Sequence, residues 1–296
     1  MNRSQGLAGL RLSLLGAGRV GSSLAHWTVA CGGELREVAS GSRTSADRLV
    51  AELGGGSCAA EELSSADADL LVVAVSDDAL DAVVSQLAAR PQAPVVLHVS
   101  GSRDAGVLAP LRIGGPSQSA CGSLHPLMAF PEVRSNVSEA AGIVFGVDGD
   151  AIALRLGERL AHTWGAQTVL VPPEARILYH YAATLAAGGV LTLLALGEEI
   201  AADLGLSPTL ALGYRRLTES ALEGARSQPA AAAITGPIAR GDRVLVEKEL
   251  AAAAKLTPEA AVLQRSLAIE TLRHVSRDRG LTPAQSELLR QLRAEP

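Results

Sequence analysis

The spacing of apolar residues changes partway along the chain. Over the first 171 residues, short apolar runs alternate with stretches that are apolar at helical spacing. The runs at 10–15, 35–40, 68–75, 94–99, 120–124, 142–146 and 167–171 predict strands. The intervening patterns predict helices over 22–30, 46–53, 78–89, 103–111 and 150–164. The run ADLLVVAV at 68–75 is nearly unbroken, as expected of a central parallel strand covered on both faces. A loop, GGPSQS, leads into the strand at 120. This alternation predicts an α/β fold with a doubly wound, mostly parallel Rossmann sheet.

Beyond Pro172-Pro173 the strand pattern stops. Residues 174–204 are apolar at helical spacing for about eight turns. Further helices are predicted at 209–223, 230–234, 242–255, 258–277 and 283–293. Ser207-Pro208, Thr257-Pro258 and Thr282-Pro283 each place a capping hydroxyl before proline at the first helical position. The expected organisation is a Rossmann domain over 1–171 and an all-α domain over 172–296. The most apolar stretch, 185–197, covers only about half to two-thirds of a membrane span and reads as a buried helix. Ala186-Ala187-Gly188-Gly189, in the middle of the long helix from Arg176 to Leu204, would let a second helix approach closely. A homodimer through the helical domain is therefore expected, with no membrane partner.

The first strand runs directly into Gly16-Ala17-Gly18-Arg19-Val20-Gly21, and a helical pattern follows at Leu24, Ala25 and Val29. Strand, glycine turn and helix in that order are the context of a dinucleotide fingerprint. Gly16 permits the sharp turn, Gly18 the approach of a pyrophosphate, and Gly21 close packing of helix on strand. The helix N-terminus then offers unpaired amides to the phosphates. The second strand ends at Ser42-Arg43-Thr44, and no carboxylate lies between Glu37 and Asp47. A guanidinium with flanking hydroxyls suits the 2′-phosphate of NADP better than the bare ribose of NAD. Ala74, Val75 and Ser76 end the third strand, where small residues let the cofactor pass. Ser76 and Asp77 are also expected to cap the helix that follows.

Composition narrows the class. The chain has 296 residues, 48% apolar and 19% charged, enough for a large core. A net charge of −5, with 2% aromatics, argues against a nucleic-acid partner. Cys31, Cys58 and Cys121 are odd in number and lack metal-ligand spacing. Each is expected to be a buried small side chain in a reducing cytoplasm, with no metal. The N-terminus has no signal-peptide architecture, so a cytoplasmic location is expected. The dinucleotide turn leads to the expectation of a small-molecule substrate.

Ligands in open α/β sheets lie beyond the carboxyl ends of the strands. Two polar segments fall there, one beginning at Ser100 and the other around His125. A hydride acceptor needs a proton as charge develops on its oxygen or nitrogen, and histidine is suited to supply it. His125 is therefore the candidate donor and Ser100 its orienting neighbour. His98 is expected to be packed, His26 and His162 structural, and His274 at the surface. In the helical half, His180 follows Tyr179 on the long helix. Thr235 and Arg240 lie in a polar, glycine-rich segment suited to hold a substrate carboxylate, unless that segment is only an inter-helix loop with Asp242 as a cap.

These segments resemble a known superfamily. The N-terminal half resembles NADP-binding Rossmann-like proteins of the ketopantoate reductase and 6-phosphogluconate dehydrogenase superfamily. SLHPLMAF (123–130), Tyr179-His180 and TGPIARGD (235–242) are similar to a subfamily that pairs such a domain with a helical domain of unknown function. The resemblance implies a reductase fold with a helical, often dimerising, second domain. His125 and Ser100 also match the His and Ser positions of prephenate dehydrogenases, where the His bonds the reacting hydroxyl. The ketopantoate and hydroxyisobutyrate enzymes use a lysine from the first helix of the second domain. Here no lysine precedes Lys248, Arg176 stands near that place, and Gly188 replaces the subfamily's usual Asn. The expectation is an NADPH-dependent reductase of a small carbonyl or imine, plausibly a 2-oxo acid. Its alternatives are a catalytically silent NADP-binding protein and a dimeric structural protein without cofactor.

Overall fold

A computed structural model describes residues 6–58, 65–112 and 118–294. Part of the GGPSQS loop and the Cys58 side chain lie outside the described residues. The chain divides into two compact units, Met1–Val190 and Leu191–Pro296.

The first unit is an eight-stranded sheet in the order β3-β2-β1-β4-β5-β6-β7-β8. Its strands are β1 (Arg11–Leu15), β2 (Glu34–Ala39), β3 (Ser57–Cys58), β4 (Leu70–Val73), β5 (Val95–His98), β6 (Ala120–Pro126), β7 (Val144–Gly149) and β8 (Gln167–Leu170). The connecting helices are α1 (Arg19–Ala30), α2 (Arg43–Leu53), α3 (Asp77–Leu87), the short α4 (Ala109–Arg112) and α5 (Ala151–Trp164). Every pairing is parallel except β6 with β7, so the predicted doubly wound, mostly parallel Rossmann sheet is present. The antiparallel step arises because only a single 3₁₀ turn, Val137–Ala140, lies between β6 and β7. A parallel connection usually crosses over through an α-helix, and the connection over 127–143 holds none.

Burial follows strand position. All four residues of β4 and of β5 are buried, as the uninterrupted apolar runs require of central strands. On one face Trp27 of α1 packs against Trp164 of α5, with ring centroids 5.8 Å apart, and Phe145 of β7 meets Trp164 at 5.7 Å. Cys31 and Cys121 are buried, as expected.

Chain order reverses beside β1, which pairs with β2 on one side and β4 on the other. Gly16 follows β1 there with φ 104° and donates its amide to the Ala39 carbonyl at 2.7 Å. A Cβ at Gly16 would lie 2.3 Å from the Ala74 carbonyl oxygen, and one at Gly21 would lie 2.1 Å from that of Gly16. A Cβ at Gly18 would meet nothing within 4 Å. Two glycines thus serve the fold, and the third leaves space open.

The helix after the sheet starts with α6 (Arg176–Thr184), passes through a π-helical turn at Leu185–Gly189 and continues as α7 (Val190–Asp203). The boundary between units falls later than the expected break at 171/172, because the first turns of α6 are tied to the sheet. The stretch 185–197, expected to be a buried helix, is instead exposed in the single chain. Leu185 and Leu191 are among its exposed side chains. Helix Pro173–Asp203 is long and apolar enough to cross a membrane by length and composition alone, and only 6% of its most apolar window is buried.

The second unit is helical throughout its described residues: α7, α8 (Thr209–Gly224), α9 (Ala230–Ala233), α10 (Pro237–Arg240), α11 (Arg243–Leu256), α12 (Pro258–Arg279) and α13 (Pro283–Ala294). Val246, Ala268, Leu272, Leu288 and Leu292 form its core. Thr257 caps α12 by accepting from the Ala260 amide, with Pro258 at the first helical position, as the sequence predicts.

Gly16→Ala should destabilise the first unit by about 1–3 kcal/mol, the usual cost of a side chain in glycine-only backbone space. Gly18→Ala should leave the thermal midpoint unchanged. Thermal unfolding of the two variants checks this, and equal losses would contradict the division of roles.

Candidate functional site

The carboxyl ends of β1, β4, β5 and β6 open onto one cleft of about 440 Å³. Gly18, Arg19 and Val20 line it on one side and Ala74, Val75 and Ser76 on another, with Ser100, Gly101 and His125 completing the wall. The fingerprint turn and the candidate donor, about 100 residues apart in sequence, therefore share one cavity. No side chain caps α1, whose N-cap is Gly18. Its first amides face the open space over Gly18, a cradle that a pyrophosphate fits. Ala17 is buried beneath the turn. Arg19 is exposed and donates to the Pro131 carbonyl at 3.1 Å.

At the end of β2, Ser42 is the N-cap of α2. Its Oγ accepts from the Ser45 amide at 3.3 Å, a capping bond that leaves the hydroxyl proton able to donate. Arg43 and Thr44 are exposed. Arg43 Nε donates to Asp47 at 3.1 Å, a contact that leaves the outer fork of the guanidinium out of that bond. Ser76 stands at the N-cap of α3 but makes no side-chain capping bond, contrary to expectation. Asp77 instead turns to the turn after β5, where its carboxylate accepts from the Ser102 hydroxyl. Burial raises the Asp77 pKa, but hydrogen bonds from Ser102 and Ser100 outweigh it and hold the group below its ordinary value.

His125 lies near the end of β6. Its Nδ1 is 2.8 Å from the Tyr179 hydroxyl, with the two rings edge to face. His180 lies on its other side, ring centroids 5.9 Å apart. Gly101 makes this crowding possible, since a Cβ there would lie 2.4 Å from His180 and 2.6 Å from His125 Nε2. Burial, with the nearby Arg176 charge second, lowers the His125 pKa to about 4, so the ring is neutral at physiological pH. Ser100 is close, but its Oγ accepts from the Arg103 amide at 3.1 Å and bonds Asp77. The side chain that orients His125 is Tyr179, not Ser100 as expected.

Beneath these rings lies a buried ion pair. Arg176 is 1% exposed and donates through Nη2 to Asp148 of β7 at 3.0 Å and to the Ser123 hydroxyl. Its Nε donates to the Arg103 carbonyl at 3.0 Å. Arg176, which stands near the place of the lysine in the resembled enzymes, is thus a structural cation. His98 is fully buried and accepts the Ser100 amide on Nδ1, so its Nε2 proton points to the Asp104 carbonyl at 3.2 Å. Burial lowers its pKa to about 4 as well. His26 pairs with Glu52, while His162 and His274 are exposed.

The structure brings Ser100, His125 and His180 together in the first unit. Thr235 and Arg240 lie in the second, both exposed, and Asp242 caps α11 by accepting from the Leu245 amide at 3.3 Å. Sequence reasoning missed the roles of Tyr179, Asp148, Gly101 and Gly146. Tyr179 was visible beside His180, but nothing local showed which ring it would meet.

Comparison with known proteins agrees with this architecture. Residues 2–126 match the Rossmann-like domain family, and residues 143–271 match a domain of unknown function, DUF2520. A Rossmann-like domain and a DUF2520 domain thus follow one another along the chain, the second spanning β7, α5, β8 and part of the helical unit. It is similar in structure to protein TM1727 from Thermotoga maritima at TM-score 0.71 and 23% identity, covering 90% of this chain and 99% of that one. The "putative NADP oxidoreductase BF3122" from Bacteroides fragilis matches at TM-score 0.71 and 19% identity, with the same coverage of 90% and 99%. The pyrroline carboxylate reductase of Plasmodium falciparum, with NADP bound, matches at TM-score 0.52 and 14% identity, covering 97% and 98%. At these identities the likeness is one of fold. No curated protein matches the chain in sequence.

Two neutral histidines, His98 buried and His125 half-buried, give the stability a defined pH dependence. His98 and His125 titrate near 4 when folded and near 6.5 when unfolded, so between those values the unfolded chain binds more protons. Stability should therefore fall as pH drops from about 6.5 towards 4. The lowered carboxylates Asp69 and Asp77 act only below their ordinary 3.8. Thermal midpoints at constant ionic strength from pH 7 to pH 4.5 check this, and a flat profile would contradict it.

Proposed function

We propose that the chain is an NADPH-dependent reductase of a small carbonyl or imine compound. One observation carries this reading: the uncapped N-terminus of α1 and the His125 ring line the same cleft. The α1 amides and the open face of Gly18 would hold the pyrophosphate, and Arg43 the 2′-phosphate. Ala74 and Val75 would let the cofactor lie across the sheet. When bound, NADPH supplies the hydride. His125 presents Nε2 to the cleft beside Gly101 and donates a hydrogen bond to the substrate oxygen or nitrogen. The Rossmann-like match and the NADP-bound fold relative support the choice of cofactor. A 2-oxo acid remains the substrate to try first, and imines stand beside it, since fold relatives include pyrroline carboxylate reductases. A catalytically silent NADP-binding protein is the second reading, favoured by a buried Arg176 where related enzymes present a lysine.

The two tryptophans give the binding assay. Trp27 lies 6.2 Å from Phe130, which lines the cleft, so energy transfer to NADPH reports occupancy. NADPH should bind at least about tenfold more tightly than NADH, the equivalent of one charge-assisted contact. Arg43→Ala should remove that preference, and equal losses for both cofactors would take Arg43 out of the role. NADPH oxidation against a panel of 2-oxo acids and imines then tests the reaction. Binding without turnover on any of them favours the silent protein, and absence of binding removes both readings.

We also propose that a second copy of the chain covers the exposed helix. Its first third cannot enter a bilayer, because Arg176 is ion-paired against the sheet and Tyr179 bonds His125. The remaining apolar stretch, 185–197, spans roughly 20 Å at 1.5 Å per residue, short of a hydrocarbon core. Light scattering at micromolar concentration should give a dimer, and Leu185→Glu a monomer. A monomeric wild type, or one that partitions into lipid vesicles, would overturn the proposal.

A further inference from the structure

We infer that Tyr179 is the proton source behind His125, so that the two rings form a relay from the phenol through Nδ1 and Nε2 to the substrate. This rests on the reductase reading and says how a neutral histidine can serve it.

The assignment begins with hydrogen-bond direction. Tyr179 and His125 Nδ1 are 2.8 Å apart, and either could donate. The phenol oxygen lies against Gly146, where an added Cβ would come within 2.4 Å of it. Among the described residues, Nδ1 of His125 is the acceptor within hydrogen-bond distance of that hydroxyl. A phenol proton placed on that bond is shared with Nδ1, and no other acceptor among the described residues competes for it. His125 then carries its own proton on Nε2, the nitrogen beside Gly101 in the cleft.

Charge placement fits the same direction. The Arg176 guanidinium carbon is 5.6 Å from the Tyr179 ring centroid, and the Nη1 group is buried without a partner. A cation so placed favours a phenolate and disfavours an imidazolium. The other groups acting on His125 are His180 on α6, Asp77 on α3 and His98 on β5, and only Asp77 favours its charged form. Burial raises the Tyr179 pKa and Arg176 opposes that rise, so the phenol is protonated at neutral pH and ready to donate.

The step balances. Hydride adds to the carbon of C=O or C=N, and the π pair moves to the heteroatom, which takes the proton from Nε2. The N–H bonding pair stays in the ring, Nδ1 takes the phenol proton, and Tyr179 is left as phenolate. After product leaves, Nδ1 returns its proton to the phenolate and water in the cleft reprotonates Nε2, which restores the starting state. One hydride and one proton are consumed in all.

Two measurements test the relay. Imidazole ¹⁵N shifts of the wild-type protein, with no ligand added, should show His125 neutral with its proton on Nε2 between about pH 5 and pH 8. A proton on Nδ1, or an imidazolium, would overturn the inference. Tyr179→Phe keeps the ring packing and should lower kcat about 100-fold, a typical acid–base contribution. KM and NADPH affinity should not change. The wild-type proton inventory in mixed H₂O and D₂O should be curved, with two protons in flight, and that of Tyr179→Phe linear. Unchanged kcat in Tyr179→Phe, or a linear wild-type inventory, would overturn the relay. If the wild type reduces nothing, the reductase reading fails, and the ¹⁵N measurement still decides the direction of the hydrogen bond.

Discussion

A guanidinium sealed from water holds the first turns of the long helix against the sheet. Removing Arg176 and Asp148 from solvent costs several kcal/mol, offset by the hydrogen bonds the pair makes even though Nη1 is left without a partner. Asp148 accepts from Arg176 and Ser123 and, through Oδ2, from the Ala105 amide at 2.8 Å. Arg176 also donates to the Arg103 carbonyl, which binds it to the turn after β5. The pair therefore fixes three segments at once: the ends of β6 and β7, the turn carrying Ser100 and Gly101, and the helix carrying Tyr179 and His180. Losing one partner would leave a buried charge, typically a penalty of about 3–5 kcal/mol.

The geometry above that pair depends on where side chains are missing. Gly146 admits the Tyr179 hydroxyl, Gly101 admits both histidines, and Gly18 leaves the cofactor side open. A cleft walled by backbone lets rings and phosphates approach more closely than a Cβ would permit. The same crowding expels water from around His125. Burial then keeps the ring neutral, and Tyr179 becomes its natural partner in moving protons. Burial, hydrogen-bond direction and chemistry are thus one arrangement seen at three levels.

Much of this was legible in the chain. The glycine turn predicted its own conformation, because a strand running straight into Gly16 leaves few alternatives. The apolar runs at β4 and β5 announced central strands, and His125 followed from its place at a strand end. Other expectations depended on distant partners. Ser100 was expected to orient His125, but its hydroxyl is taken by Asp77 and the Arg103 amide. Ser76 was expected to cap α3, and its side chain makes no capping bond. The stretch at 185–197 was expected to be buried because it is apolar, and it is exposed.

Sequence alone determined the Rossmann sheet, the cofactor turn and the helical second half, because periodicity and glycine conformation are local properties. It could not determine which ring would sit on His125, or that Arg176 would become a buried structural cation. Those outcomes join residues 54 and 28 positions apart. Only the closing of β6 and β7 beneath α6 brings them within hydrogen-bond distance. A side chain's partner, and with it the side chain's charge state and chemistry, is set by packing between elements.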